Sequence, residues 1–459
     1  MITGRGLTMK GLNYNKIHKY IVTAVCDGPL HIGSSVGGAE EVLIHPVNGL
    51  PFIQASSIAG VFRSCCNSIE PQLTEKLFGS AIMDSIESQS RVRISDGIFT
   101  RQVIMELRPH VRINRRTGSV ASANESGQKF NMEYIGAGAE FTFTIYLYSK
   151  KDKPEFKATI DKILGVLRDG GLQFGAKRSS GAGCVHLSNL LYKEFDLTVP
   201  KGREDWSMEE ELTEDAYDDA RIESLPAVAD RCKAYTVIVK GTTEGSILVK
   251  GIAVNEFGKN APDSENIQNA NGDYIVPGSS LRGALRSQME KIASYLEKDS
   301  LIALAFGTGN DDSETGNTGN LIFSDTVIGD RESNDKMPLF HRIHIDKFTG
   351  GVFHNGLFSE KDAAGDMVLK IEIQNSNQPE ETLALLTLAL RDLAIHTMSL
   401  GSGYSIGKGM IKVDTMEILR ISDQRKAIIF FGDAPEVKDP AGILTTAFDA
   451  LKEYGGIVK

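Results

Sequence analysis

Two glycine-rich turns and two serine-led helix starts carry the chemistry most readily read from this chain. Phe174-Gly175-Ala176-Lys177-Arg178-Ser179-Ser180-Gly181-Ala182-Gly183 and Leu400-Gly401-Ser402-Gly403-Tyr404-Ser405-Ile406-Gly407-Lys408-Gly409 set Lys177, Arg178 and Lys408 among glycines. Glycine reaches φ > 0 and permits close approach, so consecutive amides can cradle a phosphate. Taken singly, either turn reads as plainly as a tight helix-to-strand connection. Residues 51–64 and 274–287 each start a helix at a Ser-Ser pair, Ser56-Ser57 and Ser279-Ser280. Arg63 follows the first pair, and Arg282 and Arg286 follow the second. A helix N-terminus flanked by guanidinium forks suits a phosphate. A Walker A motif is missing, and the glycine-rich turns precede a strand rather than open a helix, which argues against a dinucleotide fold.

The elements that must position these residues occur twice. Leu77-Phe78-Gly79 corresponds to Ala305-Phe306-Gly307, Ile94-Ser95-Asp96 to Phe323-Ser324-Asp325, and Arg112-Ile113-Asn114 to Arg342-Ile343-His344. Partners lie 223 to 232 residues apart, so a whole module is duplicated in tandem; solenoid units run only about 20–50 residues. In each copy a strand opens the module and a helix begins at the Ser-Ser pair. Ile58, Val61, Phe62 and Cys65 give the first such helix one apolar face. Ser56 and Ser279 are expected to cap their helices by accepting from first-turn amides. Alternating strands, a second helix, the glycine-rich turn and a last strand follow. That order is a split βαβ, so the fold class is α+β, with two tandem ferredoxin-like (RRM-like) modules. The expected boundaries are 1–195 and 233–420 for the modules, 196–232 for an acidic linker and 421–459 for a C-terminal extension that docks a neighbour. Residues 309–319 read as a mobile insertion.

The chain has 459 residues, 41% hydrophobic and 24% charged, which suits two or more globular domains. No apolar run follows Lys10, Lys16 and Lys19, so no signal peptide is expected, and no stretch suits a membrane span. Five cysteines without CxxC spacing argue against zinc or a disulfide framework and for a reducing cytoplasm. The net charge of −10 is uneven: residues 201–223 hold ten acids against three bases. The rest is nearly neutral, so the total does not exclude a phosphate backbone as ligand.

Taken together, the glycine-rich closing turns, the Gly278-Ser279-Ser280-Leu281-Arg282-Gly283-Ala284-Leu285-Arg286 helix start and the Phe-Gly pairs beyond it resemble the RAMP superfamily of CRISPR systems. More narrowly, the chain is similar to the backbone subunits of type III effector complexes, which polymerise along guide RNA, and to the fused subunits of type III-D. The resemblance covers roughly residues 18–195 and 233–420. It implies that Ser279, Ser280, Arg282 and Arg286 meet guide-RNA phosphates. In the first copy Ser56, Ser57 and Arg63 would do so, with Ala59 in the place of Arg282. Lys177, Arg178 and Lys408 are expected to add backbone contacts. Residues 108–118, with Arg112, Arg115 and Arg116, and 340–350, with Arg342 and His344, lie where the family inserts a thumb hairpin. The family's thumb folds over the guide–target duplex and displaces one base pair. Interleaved basic and apolar residues suit backbone tracking and base wedging. The implied partners are guide RNA, target RNA, other backbone subunits and the large subunit of the complex.

In that family an aspartate some fifteen residues before the Gly-Ser-Ser cuts target RNA. Asp263 stands fifteen residues ahead of Gly278, whereas the first copy has Ala39 at or beside the corresponding place. The resemblance therefore makes Asp263 the catalytic residue and a ligand of Mg²⁺ or Mn²⁺, and makes the first module mainly a holder of RNA. Glu40 is a weak substitute, because its longer side chain misplaces the carboxylate. Asp263 would assist attack of a ribose 2′-hydroxyl on the adjacent phosphate. Two other readings stay open: a scaffold without catalysis, and a guide-processing endonuclease with His31, His341 or His344 as acid and base. Asp96 and Asp325 read as loop-orienting residues, and His31 as readily as a buried, hydrogen-bonded histidine.

Overall fold

The computed structural model describes residues 14–33, 40–80, 89–111, 113, 129–150, 152–218, 222–228, 233–251, 262–308, 318–432 and 434–455. The first half contains β1 (Lys16–Cys26), α1 (Ala55–Ile69), β2 (Val92–Ile94), a hairpin of β3 (Met105–Val111) and β4 (Lys129–Ile135), β5 (Glu140–Ser149), α2 (Pro154–Arg168) and β6 (Cys184–Asp196). Its central strands pair antiparallel in the order β6-β1-β5-β2, the ferredoxin-like order expected of a split βαβ unit. Along β5 alternate residues Phe141, Phe143, Ile145 and Leu147 are buried. They meet Ile58, Phe62 and Cys66 of α1 and Ile160 and Ile163 of α2 in one core.

The second half repeats the plan. It comprises β7 (Lys233–Glu244), α4 (Gly278–Tyr295), β8 (Leu321–Phe323), the hairpin β9 (Phe340–Ile345) and β10 (Val352–Lys361), β11 (Asp366–Gln374), α5 (Pro379–Ala394) and β12 (Met410–Arg420). The order β12-β7-β11-β8 matches the first sheet strand for strand. Both hairpins leave their sheet between the second and third core strands, where the sequence places the thumbs.

Two connecting segments are more structured than their composition implies. The acidic stretch, read as a solvated linker, forms α3 (Pro200–Ser207) and lies against β6. Trp206 packs on Phe195 and Tyr146, with centroids 5.3 and 5.9 Å apart. Lys19 bonds Glu209 and donates to Tyr217 Oη (2.8 Å), and Asp218 exchanges backbone bonds with Tyr192. The physical reason is the sheet face turned away from the helices, where Lys19, Tyr146 and Phe195 need a cover, together with the free edge of β6 that Asp218 pairs. Trp206 anchors that cover, a signal the charge count hides. The tail beyond 420, read as a C-terminal extension, packs into the second module. Strands β13 (Arg425–Phe430) and β14 (Glu436–Lys438) continue the sheet from β12, and α6 (Ile443–Glu453) buries Ile443, Leu444, Ala447 and Leu451 in its core.

Candidate functional site

The helix starts are built differently from expectation. Helix α1 begins at Ala55 and α4 at Gly278, so Ser56 and Ser279 sit inside the first turn and make no side-chain cap. The caps come from afar. Asp96 Oδ1 accepts from the Ala55 amide (2.7 Å), and Asp325 Oδ1 accepts from the Gly278 amide (2.8 Å). Both repeated aspartates thus orient the helix start, and each sets a carboxylate against the positive end of a helix dipole. Ser56 is exposed, while Ser57, Ser279, Ser280 and Arg63 are half-buried. Arg282 turns back to donate to the Phe306 carbonyl (Nη2, 2.7 Å) and lies over the Phe306 ring. Arg286 covers the same ring and pairs with Glu290 at 2.9 Å. The repeated Phe-Gly pair therefore gives these arginines their platform.

Most amides of the glycine-rich turns already have carbonyl partners. Ala176 donates to His31, Ser180 to Lys177, Gly181 to Arg178 and Gly183 to Pro29; in the second turn Ser402 donates to Leu248, Lys408 to Gly403 and Gly409 to Ser246. The turns do not present the row of vacant amides expected of a phosphate cradle. Their side chains diverge. Lys177, held left-handed at φ 59°, and Arg178 are exposed, with Lys177 above the Phe130 ring. Lys408 is 5% exposed and bonds Glu360 (2.8 Å) and Asp362 (2.6 Å). Burial raises the Glu360 carboxyl, but Lys408 and Lys250 lower it further, below its usual range. The first module fills the same space with Met132, Tyr134 and Ala182.

Of the first thumb, Arg112, Arg115 and Arg116 lie outside the described residues. Its base is a joint between modules. Arg108 pairs with Glu106 and, at 2.7 Å, with Asp325, and Glu106 Oε1 accepts from the Ala270 amide at 2.7 Å. The second thumb is described throughout its strands and is bare. Ile343, Ile345, Val352, Phe353 and Leu357 are each more than half exposed, and Phe348 at the tip is 99% exposed. His344 meets Phe353 edge-on at 5.5 Å. Arg342 turns to Glu360 at 2.9 Å, so it anchors the hairpin base.

Asp263 sits at that base. Its Oδ2 accepts from the Ser359 amide (2.6 Å) and hydroxyl (3.0 Å), and its own amide donates to Ser359 Oγ (3.1 Å). The carboxylate is exposed, and the Ser359 amide, then its hydroxyl, hold it below the usual carboxylate range. Ser359 pairs across the hairpin with His341, whose charge acts in the same direction. Sequence reasoning missed Ser359, since nothing in Phe358-Ser359-Glu360 marks it. Among the described residues no group of three acids, histidines or cysteines could hold a metal. Asp263 is not a metal cage by itself, and the chemistry open to it is that of a single carboxylate. Ser359→Ala is expected to raise the Asp263 pKa toward the ordinary aspartate value, because the hydroxyl donor is lost while the amide stays. A carbon-13 carboxyl titration by NMR reads this directly, and an unmoved pKa would remove Ser359 from the site.

The remaining candidates are accounted for by packing. His31 is buried, with Nδ1 2.7 Å from the Glu133 carbonyl and its ring beside Tyr134. Ala39, at or beside the place in the first copy that corresponds to Asp263, lies outside the described residues.

The duplicated ferredoxin-like sheet, the inserted hairpins and the Asp-capped helix starts agree with the comparison to known families. The RAMP superfamily model matches residues 23–186 and 239–412, and the chain belongs to that superfamily. A chain in the cryo-EM structure of the Type III-B Cmr-beta bound to cognate target RNA is 22% identical, with a TM-score of 0.31. That match covers 39% of this chain and 61% of the other, so this chain spans under two thirds of its length. No curated protein matches. Among the described residues no helix is long and apolar enough to cross a membrane.

Proposed function

We propose that this chain is a guide-RNA-binding backbone subunit of a type III CRISPR effector complex, and that its second module cuts complementary target RNA. The observation that carries the reading is Asp263: an exposed, ionised carboxylate fixed by Ser359 at the foot of a bare apolar hairpin, within a RAMP module. An apolar hairpin tip is suited to wedging between bases, which frees a nucleotide to rotate. Asp263 then accepts the hydrogen bond of the ribose 2′-hydroxyl and aligns its oxygen with the adjacent phosphorus; as that bond forms, the bond from phosphorus to the 5′-oxygen breaks, leaving a 2′,3′-cyclic phosphate, and the hydroxyl proton passes through water to the departing 5′-oxygen. A Mg²⁺ or Mn²⁺ there would lean mainly on substrate phosphate and water. The other proposed partners are further RAMP backbone subunits and the complex's large subunit, in the cytoplasm.

The exposed cations divide the RNA-binding candidates. Lys177 and Arg178 project from the first module, whereas Lys408, Arg282 and Arg342 are engaged by protein groups. Replacing Lys177 and Arg178 together by Ala is expected to weaken single-stranded RNA binding and to flatten the plot of log K against log salt by about 1.4. An unchanged slope in a fluorescence-anisotropy salt series would take both residues off the RNA path. The guide-processing alternative loses His31, which is buried and hydrogen-bonded, and keeps His341 and His344, both exposed on the second hairpin.

A further inference from the structure

Alternation along the second hairpin sorts its side chains into two faces. Phe340, Arg342 and Glu360 fall on one, where Arg342 meets Glu360 at 2.9 Å. His341 and Ile343 fall on the other, opposite Ser359 and Leu357. Directly opposed residues of an antiparallel pair hold their Cβ atoms about 4.5–5.5 Å apart. His341 thus shares a face with the Ser359 hydroxyl that donates to Asp263 Oδ2 at 3.0 Å. Ile343 and Leu357, 55% and 64% exposed, stand on that same face, roughly 7 Å further along the hairpin. A nucleotide freed by an apolar wedge there is offered to His341 and Asp263 from one side.

Cleavage by a 2′-hydroxyl calls for a proton acceptor at the 2′-oxygen and a proton donor at the 5′-oxygen. Asp263 is confined to the first duty, because Ser359 holds it ionised and it has no proton to give. The neighbouring cations are engaged: Arg342, Lys408 and Lys250 by Glu360, and Lys361 by Glu265. His341 is exposed and makes no hydrogen bond to a described residue. Histidine is also the side chain that gains and loses a proton near neutral pH.

We propose that His341 is the general acid of the second module's cut, giving its ring proton to the departing 5′-oxygen. The 2′-oxygen bonds to phosphorus as the bond from phosphorus to the 5′-oxygen breaks, and His341 protonates that oxygen. The 2′-hydroxyl proton, carried by water from Asp263, restores the imidazolium, so protons and charge balance over the cycle. The inference rests on the cleavage reading of Asp263, and its test separates the failure of one from the failure of the other.

The assembled complex is given a guide-complementary RNA whose cut linkage carries either the natural 5′-oxygen or a bridging 5′-sulfur. Sulfur departs as a thiolate without a proton, since a thiol ionises near about pH 8.5 against about 15.7 for water. His341→Ala is expected to slow the natural cut by about 10²–10⁴-fold and to cut the sulfur linkage at the wild-type rate. His341→Gln keeps a hydrogen-bond donor but cannot pass a proton, and is expected to behave as Ala does. Asp263→Ala is expected to be slow on both linkages. A natural cut unchanged in His341→Ala, equal losses on the two linkages, or full activity in His341→Gln would each overturn the inference and leave the Asp263 reading in place. A wild-type complex that cuts the sulfur linkage only with added Cd²⁺ would put a metal on the leaving atom and overturn it too. Unchanged cutting in Asp263→Ala would bring down both readings together.

Discussion

Changing Asp263 to Ala is expected to abolish one cut in a guide-complementary RNA while guide binding by the assembled complex stays at the wild-type level. The expected loss of rate at that position is about 10²–10⁴-fold, the range for a positioned proton-accepting or orienting group. Binding should survive because Asp263 is exposed and bonds only to Ser359 among the described residues, so its removal neither opens the core nor touches a cation of the RNA path. Asp263→Asn distinguishes charge from shape, since an amide oxygen still accepts from Ser359 but carries no charge. A cut lost in both variants assigns the role to the negative charge; a cut retained in Asn assigns it to hydrogen bonding. Running each reaction with Mg²⁺ and with EDTA tests the metal on the same gel. Persistence of every cut in Asp263→Ala would leave the chain a scaffold.

The largest expected effect on stability comes from the buried charges beneath the second thumb. Lys408→Ala takes the cation from Asp362, which is fully buried and keeps only the Ser246 hydroxyl (2.6 Å), while Glu360 retains Arg342 and Lys250; the change is expected to cost about 3–5 kcal/mol. The first module shows the alternative packing, because Met132, Tyr134 and Ala182 occupy the corresponding places. Replacing Lys408, Glu360 and Asp362 together by Ala, Met and Tyr is therefore expected to recover most of the loss. Arg342 and Lys250 would then release Glu360 and turn to water, which their partial exposure permits. Urea denaturation of the single and triple variants measures both. A triple variant no more stable than Lys408→Ala would show that the two modules' cores are not interchangeable.

The duplication was legible because paired motifs keep one order and one spacing, and the ferredoxin-like order followed from apolar periodicity in segments such as Phe141 to Ile145. What escaped the sequence is long-range. Serine at the head of a helix is the usual local sign of a cap, yet the caps are Asp96 and Asp325, 41 and 47 residues further on. Lys408 looks like a free cation among glycines until Glu360 and Asp362 are brought under it by the hairpin. Arg282 and Arg286 read as phosphate forks, and only the fold puts Phe306 beneath them. Asp263 was found by family resemblance, but the residue that holds its carboxylate lies 96 positions away. Trp206, a single aromatic in an acidic run, was outweighed by its neighbours although it fastens the run to the sheet.

Where Gly181 and Gly278 meet the Phe323 carbonyl, peptide units touch with no side chain between them: a methyl group on either would come within 2.3 and 2.2 Å of that oxygen. Side chains can change rotamer to absorb a misfit, but peptide planes cannot. The joint is in this respect a machined stop rather than a cushion. The pitch between the modules is a fixed length set by main-chain atoms, and a polymer lying along both meets a gauge, not a spring.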